Sequence, residues 1–368
     1  MDAVDHAVSG SGTFLSGLLP ASPLKSLLFE GIWGGVGSVV IFLPQILLLF
    51  LFIGLLEDSG YLARAALIAD RTMRKAGLQG KSFLPLLSAY ACAVPAVLAA
   101  RTIENKRDRI ATILIAPFMT CSARLPVYTL IIAAFIPERP LLGPFLGTRA
   151  AAMLGLYVLG FLAAFGTARL LKSSVLKSDG SPFLLEMPPY RRPTLRQIAL
   201  RMFDRAKIFL RRAGTVILGV AIVLWVLAHL PLSAGQMPEI ASSLAGTLGR
   251  ALETLVRPLG FDWRIAIGLV TSLAAREVIV GTLGTLYGMD AGSGTAGLQA
   301  ALRHDLTPGG AVALLVFFAF AMQCLSTVAV VRRETGGWKW PAVQFTYMSV
   351  LAWVGGFAAN QAVSHWLR

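Results

Sequence analysis

Long runs of uncharged residues, separated by loops rich in Lys and Arg, dominate the chain. Each run is roughly 20 residues long, enough for a helix to cross or deeply enter the hydrocarbon core of a bilayer. The runs recur at 36–56, 82–100, 110–136, 150–168, 213–235, 265–289, 306–331 and 340–364. The pattern predicts an all-α, polytopic transmembrane protein with about eight membrane segments.

The basic loops predict the orientation of these segments, because Lys and Arg accumulate in short connections on the cytoplasmic side. The segment 169–212 alone carries eleven basic residues, which places it inside. The other basic connections that we place inside are 57–81, 101–109 and 332–340. The connections that we place outside are balanced or weakly charged, namely 137–149, 236–264 and 290–305.

Two of the runs conflict with a full crossing. The run 82–100 lies between two basic loops, and the run 265–289 lies between two weakly charged loops. We therefore predict that both are re-entrant or broken segments, which enter the membrane from opposite faces. In secondary transporters with inverted repeats, interrupted helices of this kind meet near the midplane around the substrate. The alternative is that one loop simply breaks the charge bias.

Composition excludes an ordinary soluble enzyme. Of 368 residues, 56% are hydrophobic and 14% are charged, with a mean hydropathy of +0.70, whereas soluble domains have about 25% charged residues. The net charge of +14 lies in loops between apolar runs, so it indicates topology and predicts no nucleic-acid partner. Gly80-Lys81-Ser82 is similar to the end of a phosphate-binding loop, but the glycine that the motif requires falls on Lys75. We expect no GTP site in this chain and no enzymatic activity.

Sulfur and carboxylate side chains within or beside these runs are the candidate metal ligands. A polar or ionisable group at membrane depth costs a few kcal/mol, so it usually faces a cavity or a partner. Sulfur, carboxylate and carbonyl ligands together bind divalent transition metals. Because Cys and Met also fill inert apolar cores, a purely structural role is the alternative for each of them. The candidates are Cys92, Cys121, Cys324, Met119, Met322, Glu57, Asp58 and Glu277.

One run contains a charged residue between two prolines, since Arg124 lies between Pro117 and Pro126. Prolines remove backbone donors and break helices, which frees carbonyl oxygens beside a thiol, a thioether and hydroxyls. The sequence therefore predicts an ion-coordinating break here; the alternative is a kinked helix whose arginine extends to the lipid headgroups. For Glu57 and Asp58, the alternative to attracting cations is a solvated helix end.

Several longer motifs resemble the membrane domain of the ferrous iron transport protein B family, bacterial permeases that pair a cytoplasmic GTPase domain with two gate regions. In the first half these motifs are Phe42–Ile46, Leu55–Arg64, Gly80–Ser88, Arg101–Arg109 and Ala116–Tyr128. In the second half they are Arg212–Thr215, Ala275–Gly284 and Arg332–Gly336. The resemblance extends from about residue 31 to residue 361. It implies inward transport of Fe2+ across the bacterial cytoplasmic (inner) membrane by a multi-pass permease.

The resemblance also implies roles for two of the thiols. Cys92 falls in the family's Gly-Cys-Asn-x-Pro segment and Cys324 in its Pro-Cys-x-x-Thr segment, where the family is thought to handle iron. Both segments are altered, because Ala91 and Ala93 replace Gly and Asn, and Gln323 replaces Pro. Loss of the Asn amide removes one oxygen ligand from the first gate.

The resemblance predicts a division of the chain and a set of partners. The division is an extracytoplasmic tail at 1–35, a first gate at 36–136, a linking helix and basic cytoplasmic stretch at 137–212, and a second gate with C-terminal helices at 213–368. The family's GTPase domain and first transmembrane helix are expected to be missing, so the GTPase would lie on another chain or be lost. The expected partners are the lipid bilayer, that GTPase, small cytoplasmic accessory proteins and a second copy of the chain.

Other functions fit parts of the same pattern. Gate regions also resemble those of nucleoside carriers and spore maturation proteins, which makes a nucleoside the alternative cargo. Nucleoside binding should need Asn, Gln and aromatic side chains at the breaks, whereas Cys, Met and carboxylates suit a cation better. The remaining alternative is a truncated permease fragment that no longer transports.

Overall fold

A computed structural model describes most of the chain. The described residues are 27–33, 36–37, 40, 44, 47–48, 51–52, 54–56, 59–142, 146–177, 194–229, 243–273, 276–287 and 294–366. Within the predicted first segment, 36–56, the structure describes only the scattered positions given above, and all of these are helical.

Helices form nearly all of the regular structure in the described chain, as the sequence predicts. A short antiparallel hairpin, β1 (Pro140–Leu142) and β2 (Leu146–Gly147), is the exception among these residues. In chain order the α-helices after residue 60 are α1 (Tyr61–Lys75), α2 (Phe83–Ala91), α3 (Ala93–Ala99), α4 (Lys106–Ile115), α5 (Leu125–Phe135), α6 (Thr148–Ser173), α7 (Leu195–Phe209), α8 (Thr215–His229), α9 (Leu244–Val256), α10 (Trp263–Ser272), α11 (Val278–Leu286), α12 (Gly294–Asp305), α13 (Pro308–Phe320), α14 (Leu325–Thr335) and α15 (Lys339–Trp366).

Four helical stretches among the described residues are long and apolar enough to cross a membrane. Two are single helices, α6 and α15. The other two are broken helices, α4 with α5 over Lys106–Phe135 and α13 with α14 over Pro308–Thr335. The polytopic α-helical class predicted from the sequence is therefore confirmed.

The two segments predicted to be interrupted are indeed broken. The run 82–100 forms α2 and α3, which are separated at Cys92. The run 265–289 forms α10 and α11, which are separated after Leu273, where 274–275 lie outside the described residues. Each half of the chain therefore contains one short broken pair followed by one long broken helix.

Local sequence signals explain where the helices begin. Asn105 caps α4 by accepting a hydrogen bond from the backbone N–H of Arg107 at 2.9 Å. Asp262 caps α10 through the N–H of Ile265 at 3.0 Å. Thr307 caps α13, whose first residue is Pro308. These side chains supply partners for amides that have none within the helix, and proline is well tolerated at the first helical position.

The two halves of the chain share a hydrophobic core. One cluster of buried side chains joins α5 to α10, α11, α12 and α13, and includes Tyr128 and Phe318. A second cluster joins α2, α4 and α6 to Met322 and Met348 of the second half. Helix α3 packs against α14, so the helix that follows Cys92 lies beside the helix that follows Cys324. This interleaving brings the helix breaks of both halves together.

Candidate functional site

Cys92 lies in the break between α2 and α3. Its backbone is extended, with φ −158° and ψ 138°. The carbonyl of the preceding residue, Ala91, accepts a hydrogen bond of 3.1 Å from the hydroxyl of Ser122 in the next break. The two breaks of the first half are thus joined directly to each other.

Cys324 occupies the equivalent position in the second half. It precedes α14 with an extended backbone, φ −163° and ψ 101°. The next amide, of Leu325, donates a 2.9 Å hydrogen bond to the carbonyl of Leu273 at the end of α10. The long broken helix of the second half is therefore also tied to its short broken pair.

Met119 and Cys121 lie in the break between α4 and α5. Two short 3₁₀ turns, Ala116–Phe118 and Ser122–Arg124, flank this stretch. Pro117 in the first turn and Pro126 at the start of α5 lack amide hydrogens, which agrees with the predicted proline-induced break. The side chains of Met119 and Cys121 are both buried.

Arg124 is fully buried, with 0% of its surface exposed. Its Nη1 donates to the carbonyls of Phe118 at 3.0 Å and Met119 at 3.1 Å. Its Nη2 donates to the carbonyl of Pro117 at 2.9 Å and, across to the second half, to that of Ala321 at 3.4 Å. The arginine does not extend to the headgroups, and it bonds three carbonyl oxygens of the break.

Arg276 contacts the same carbonyl as Arg124. This buried residue follows the break after α10, and its Nη2 donates to the Ala321 oxygen at 3.2 Å. Arg276 therefore does not interact with its sequence neighbour Glu277 alone, because it also donates a hydrogen bond to this carbonyl. Two guanidinium groups thus meet at Ala321, the residue that follows α13.

The three thiols lie near one another and near Glu277. Cys92 is within electrostatic range of Cys121, Cys324 and Glu277. Cys121 is also within range of Arg276 and Glu277. The carboxylate predicted as an attractor is therefore within electrostatic range of two of the three thiols. Met322 is buried in the turn between α13 and Cys324.

No ready-made metal cage exists among the described residues. They contain no cluster of three or more His, Cys, Asp or Glu side chains with the spacing that a metal ion needs. Two predicted candidates, Glu57 and Asp58, lie outside the described residues. The breaks thus bring Cys92, Cys121, Cys324 and Glu277 into one region, with Met119 and Met322 in the same segments. These side chains do not form a complete metal-binding site in the structure.

Three buried oxygen atoms lie at or beside the breaks, in the side chains of Thr120, Tyr128 and Gln323. The Thr120 and Tyr128 hydroxyls interact with each other. The side-chain oxygen of Gln323 has no hydrogen-bond partner among the described residues, which is costly for a buried polar atom and leaves it available to a ligand. None of the three was predicted as a ligand from the sequence. The signal was present, since Thr120 and Gln323 are the middle residues of the two Met-x-Cys triplets.

Space for the α4/α5 break depends on a glycine in α6. A Cβ atom at Gly160 would lie 2.7 Å from the carbonyl oxygen of Phe118 and 3.5 Å from the hydroxyl of Thr120. The first distance is too short for any side chain. Gly160 therefore lets α6 lie directly against the turn that carries Met119 and Cys121.

An ion pair joins the 3₁₀ turn after α3, Ala100–Thr102, to the last turn of α14, away from the thiols. The guanidinium of Arg101 donates two hydrogen bonds, of 2.6 and 2.7 Å, to the carboxylate of Glu334. The Lys81 ammonium, in the 3₁₀ turn before α2, lies 2.8 Å from the Glu104 carboxylate. The hydrogen bond from Lys81 and its charge hold the pKa of the Glu104 carboxyl below its usual value. The end of the molecule predicted to be cytoplasmic therefore carries ion pairs within and between the two halves.

Two family models match different parts of the chain. The Gate family, described as nucleoside recognition, matches residues 39–135 and 210–338. The family described as ferrous iron transport protein B C terminus matches residues 153–205. The gate matches contain all four helix breaks described above. No solved structure is significantly similar to the chain.

Curated relatives give a consistent picture. A protein of Leptospira interrogans named Fe(2+) transporter FeoB is 47% identical over 98% of this chain and 54% of its own length. One of the same name from Staphylococcus aureus is 42% identical over 92% of this chain and 49% of its own length. A Porphyromonas gingivalis Fe(2+) transport protein A/Fe(2+) transporter FeoB fusion protein is 37% identical over 97% of this chain and 46% of its own length. The chain thus spans about half the length of the curated relatives it matches. The two Gate matches flank the match to the ferrous iron transport protein B C terminus. Together with these relatives, this arrangement shows that the chain belongs to the ferrous iron transport protein B family.

Proposed function

We propose that the chain is the membrane permease part of a ferrous iron transporter and moves Fe2+ inward across the bacterial cytoplasmic membrane. The observation that carries this proposal is the meeting of helix breaks from both halves, with thiols and the unpartnered Gln323 oxygen at the breaks. The names of the relatives support iron as the cargo.

The proposed ligands combine soft and hard donors. Cys92, Cys121 and Cys324 supply sulfur, and the thioethers of Met119 and Met322 are softer neighbours. Thiolate, carboxylate and carbonyl donors together suit divalent first-row metals, while oxygen donors alone suit Mg2+ or Ca2+. A site that is not closed into a tight cage also suits a cargo, because a transported ion has to leave as well as bind.

The charges near the breaks constrain how a cation is accepted. Arg124 and Arg276 place two positive charges close to the proposed path. Carbonyl oxygens surround the Arg124 guanidinium and reduce its repulsion of a second cation. Glu277 lies within electrostatic range of Cys92 and Cys121, and we propose it as the carboxylate that attracts Fe2+ to the thiols. Glu57 and Asp58 are proposed to attract cations at the mouth of the path.

The chain is proposed to work with a GTPase domain and with small cytoplasmic proteins. The curated relatives are about twice as long as the stretch they share with this chain, so their unmatched half is long enough for a GTPase domain. One relative is named as a fusion with an Fe(2+) transport protein A, which supports an accessory partner. The basic stretch 169–212 between the gates is proposed as the cytoplasmic surface for these contacts.

A nucleoside cargo is less well supported than iron. The description of the Gate family names nucleoside recognition. The relatives that share nearly the whole chain are instead named as Fe(2+) transporters.

Uptake of radioactive Fe2+ in cells that supply the GTPase tests this proposal. Cys92→Ser and Cys324→Ser are expected to reduce uptake strongly, because each removes a sulfur donor. Ser88→Ala is the matched control, since Ser88 is buried in α2 one turn before Cys92 and its loss removes no sulfur. Uptake that is unchanged in both cysteine variants, at equal protein levels, would remove the thiols from the mechanism.

A further inference from the structure

Arg124 forms a connection between the two halves of the chain at the helix breaks. Of its four hydrogen bonds to carbonyls, three hold consecutive residues of its own break, Pro117, Phe118 and Met119. The fourth reaches Ala321, the residue that precedes Met322 in the equivalent break of the second half. One rigid group thus touches the backbone on both sides of the proposed path.

Several features show that this contact is built into the fold. Arg124 is fully buried although burial of an unpaired charge is costly, so its stability depends on the carbonyl oxygens around it. Arg276 donates to the same oxygen of Ala321 and extends the contact to the break after α10. Within each half, the breaks are already joined by the Ser122–Ala91 and Leu325–Leu273 hydrogen bonds. Arg124 therefore links two units that are each internally connected.

We propose that Arg124 is a positioning residue that fixes the first-half Met-x-Cys turn relative to the second-half Met-x-Cys turn. The donors of residues 119–121 and 322–324 then act as one cation site rather than as two separate half-sites. Arg124 itself binds no iron in this proposal. The inference rests on the proposed function for the identity of the ion, but the relative position of the two turns does not depend on it.

Only arginine has the geometry that this role requires. The planar guanidinium presents five N–H donors in a fixed fan, whereas the lysine ammonium is a compact point charge with three donors. Arg124→Lys therefore keeps the charge, but its three donors on one nitrogen cannot replace the four hydrogen bonds that the two terminal nitrogens of Arg124 make. Arg149→Lys is the matched control, because the Arg149 guanidinium also donates to helix-end carbonyls, including that of Ile136 at 3.0 Å, but at the opposite end of α5.

The first test measures position without metal. All three cysteines are replaced by serine, and spin labels are attached to new cysteines at Thr129 in α5 and Leu325 in α14, both exposed. Pulsed electron paramagnetic resonance then gives the distance distribution between the labels in purified full-length chain. We expect Arg124→Lys to broaden and shift the distribution, and Arg149→Lys to leave it unchanged. Equal distributions in the two variants would overturn the proposal; Arg124→Gln is the second variant if the lysine variant is poorly folded.

The second test uses Co2+ as a spectroscopic substitute for Fe2+. The thiolate-to-cobalt absorption of the chain with native cysteines should decrease in both Cys121→Ser and Cys324→Ser, and the effects of the two changes should be non-additive. In an Arg124→Lys background the two effects should become additive, whereas they stay non-additive with Arg149→Lys. Unchanged non-additivity in the lysine background would refute the positioning role. Complete absence of thiolate absorption in the unaltered chain would instead refute the proposed sulfur site, and the distance measurement would still decide the role of Arg124.

Discussion

Replacing Gly160 in α6 with alanine should disturb the α4/α5 break more than any equivalent change along the same helix. The new Cβ would lie 2.7 Å from the Phe118 carbonyl oxygen. Ordinary contacts between carbon and oxygen are about 3.3–3.6 Å, so α6 and the turn have to separate by roughly 0.6–0.9 Å. The contact is with backbone, which cannot rotate away.

The expected cost follows from this displacement. Forcing an extra methyl group into a packed interior costs about 1–3 kcal/mol, while alanine in place of glycine within a helix recovers about 1 kcal/mol. The Gly160→Ala variant should therefore be destabilised by up to about 2 kcal/mol and should lower Fe2+ uptake, because Arg124 is bonded to the displaced carbonyl.

Two glycines of the same helix provide matched controls. A Cβ at Gly155 or Gly166 would meet nothing within 4 Å. Alanine at either position should stabilise α6 by up to about 1 kcal/mol and leave uptake unchanged. The assays are thermal unfolding in detergent and radioactive iron uptake at matched protein levels. If the Gly160→Ala variant is as stable and as active as the two controls, α6 does not approach the break this closely.

Further predictions concern the ion pairs at the predicted cytoplasmic end. Reversing the charge of either Arg101 or Glu334 should lower uptake, and reversing both together should restore it; uptake that the double change does not improve would argue against a direct ion pair between the two residues. Lys172→Met should destabilise the protein by about 3–5 kcal/mol in chemical unfolding, because it removes the ammonium that pairs with the buried Asp108 carboxylate of α4; a change below about 1 kcal/mol would show that the pair is solvated. The lowered pKa of Glu104 means that its pair with Lys81 stabilises the fold above the usual pKa of glutamate, and that this contribution is lost as the pH falls through the lowered pKa. Melting temperatures measured from pH 6 downwards should therefore fall less steeply in Lys81→Met than in the unaltered chain, and parallel curves would contradict this.

Hydropathy and charge were sufficient to predict the class of fold and two of the interrupted runs, but they did not predict the break between α13 and α14 within the run 306–331. The runs at 82–100 and 265–289 conflicted with the charge bias of their flanking loops, and both prove to be interrupted helices. The prolines on either side of Arg124 likewise marked a real break. These features depend on local sequence, on helix termination by proline and on the energetic cost of charge in a membrane.

The arrangement at the breaks could not be predicted in the same way. That Arg124 bonds the carbonyl of Ala321 depends on how α5 packs against α13, which lies far away in sequence. Carbonyls of this break were predicted to coordinate an ion, but in the structure those of residues 117–119 accept hydrogen bonds from Arg124. Gln323 carries no charge and no sulfur, so only the burial of its side-chain oxygen without a partner identifies it as a candidate ligand.

The most direct test of the account is X-ray absorption spectroscopy of the purified chain loaded with Fe2+ under reducing conditions. The account predicts sulfur neighbours at about 2.3 Å, similar to other metal–thiolate bonds, together with oxygen neighbours. Cys121→Ser and Cys324→Ser should each remove part of the sulfur signal, because the two residues come from different halves of the chain. A spectrum with oxygen and nitrogen neighbours alone, unchanged in both variants, would contradict the claim that the two sets of helix breaks form one iron site.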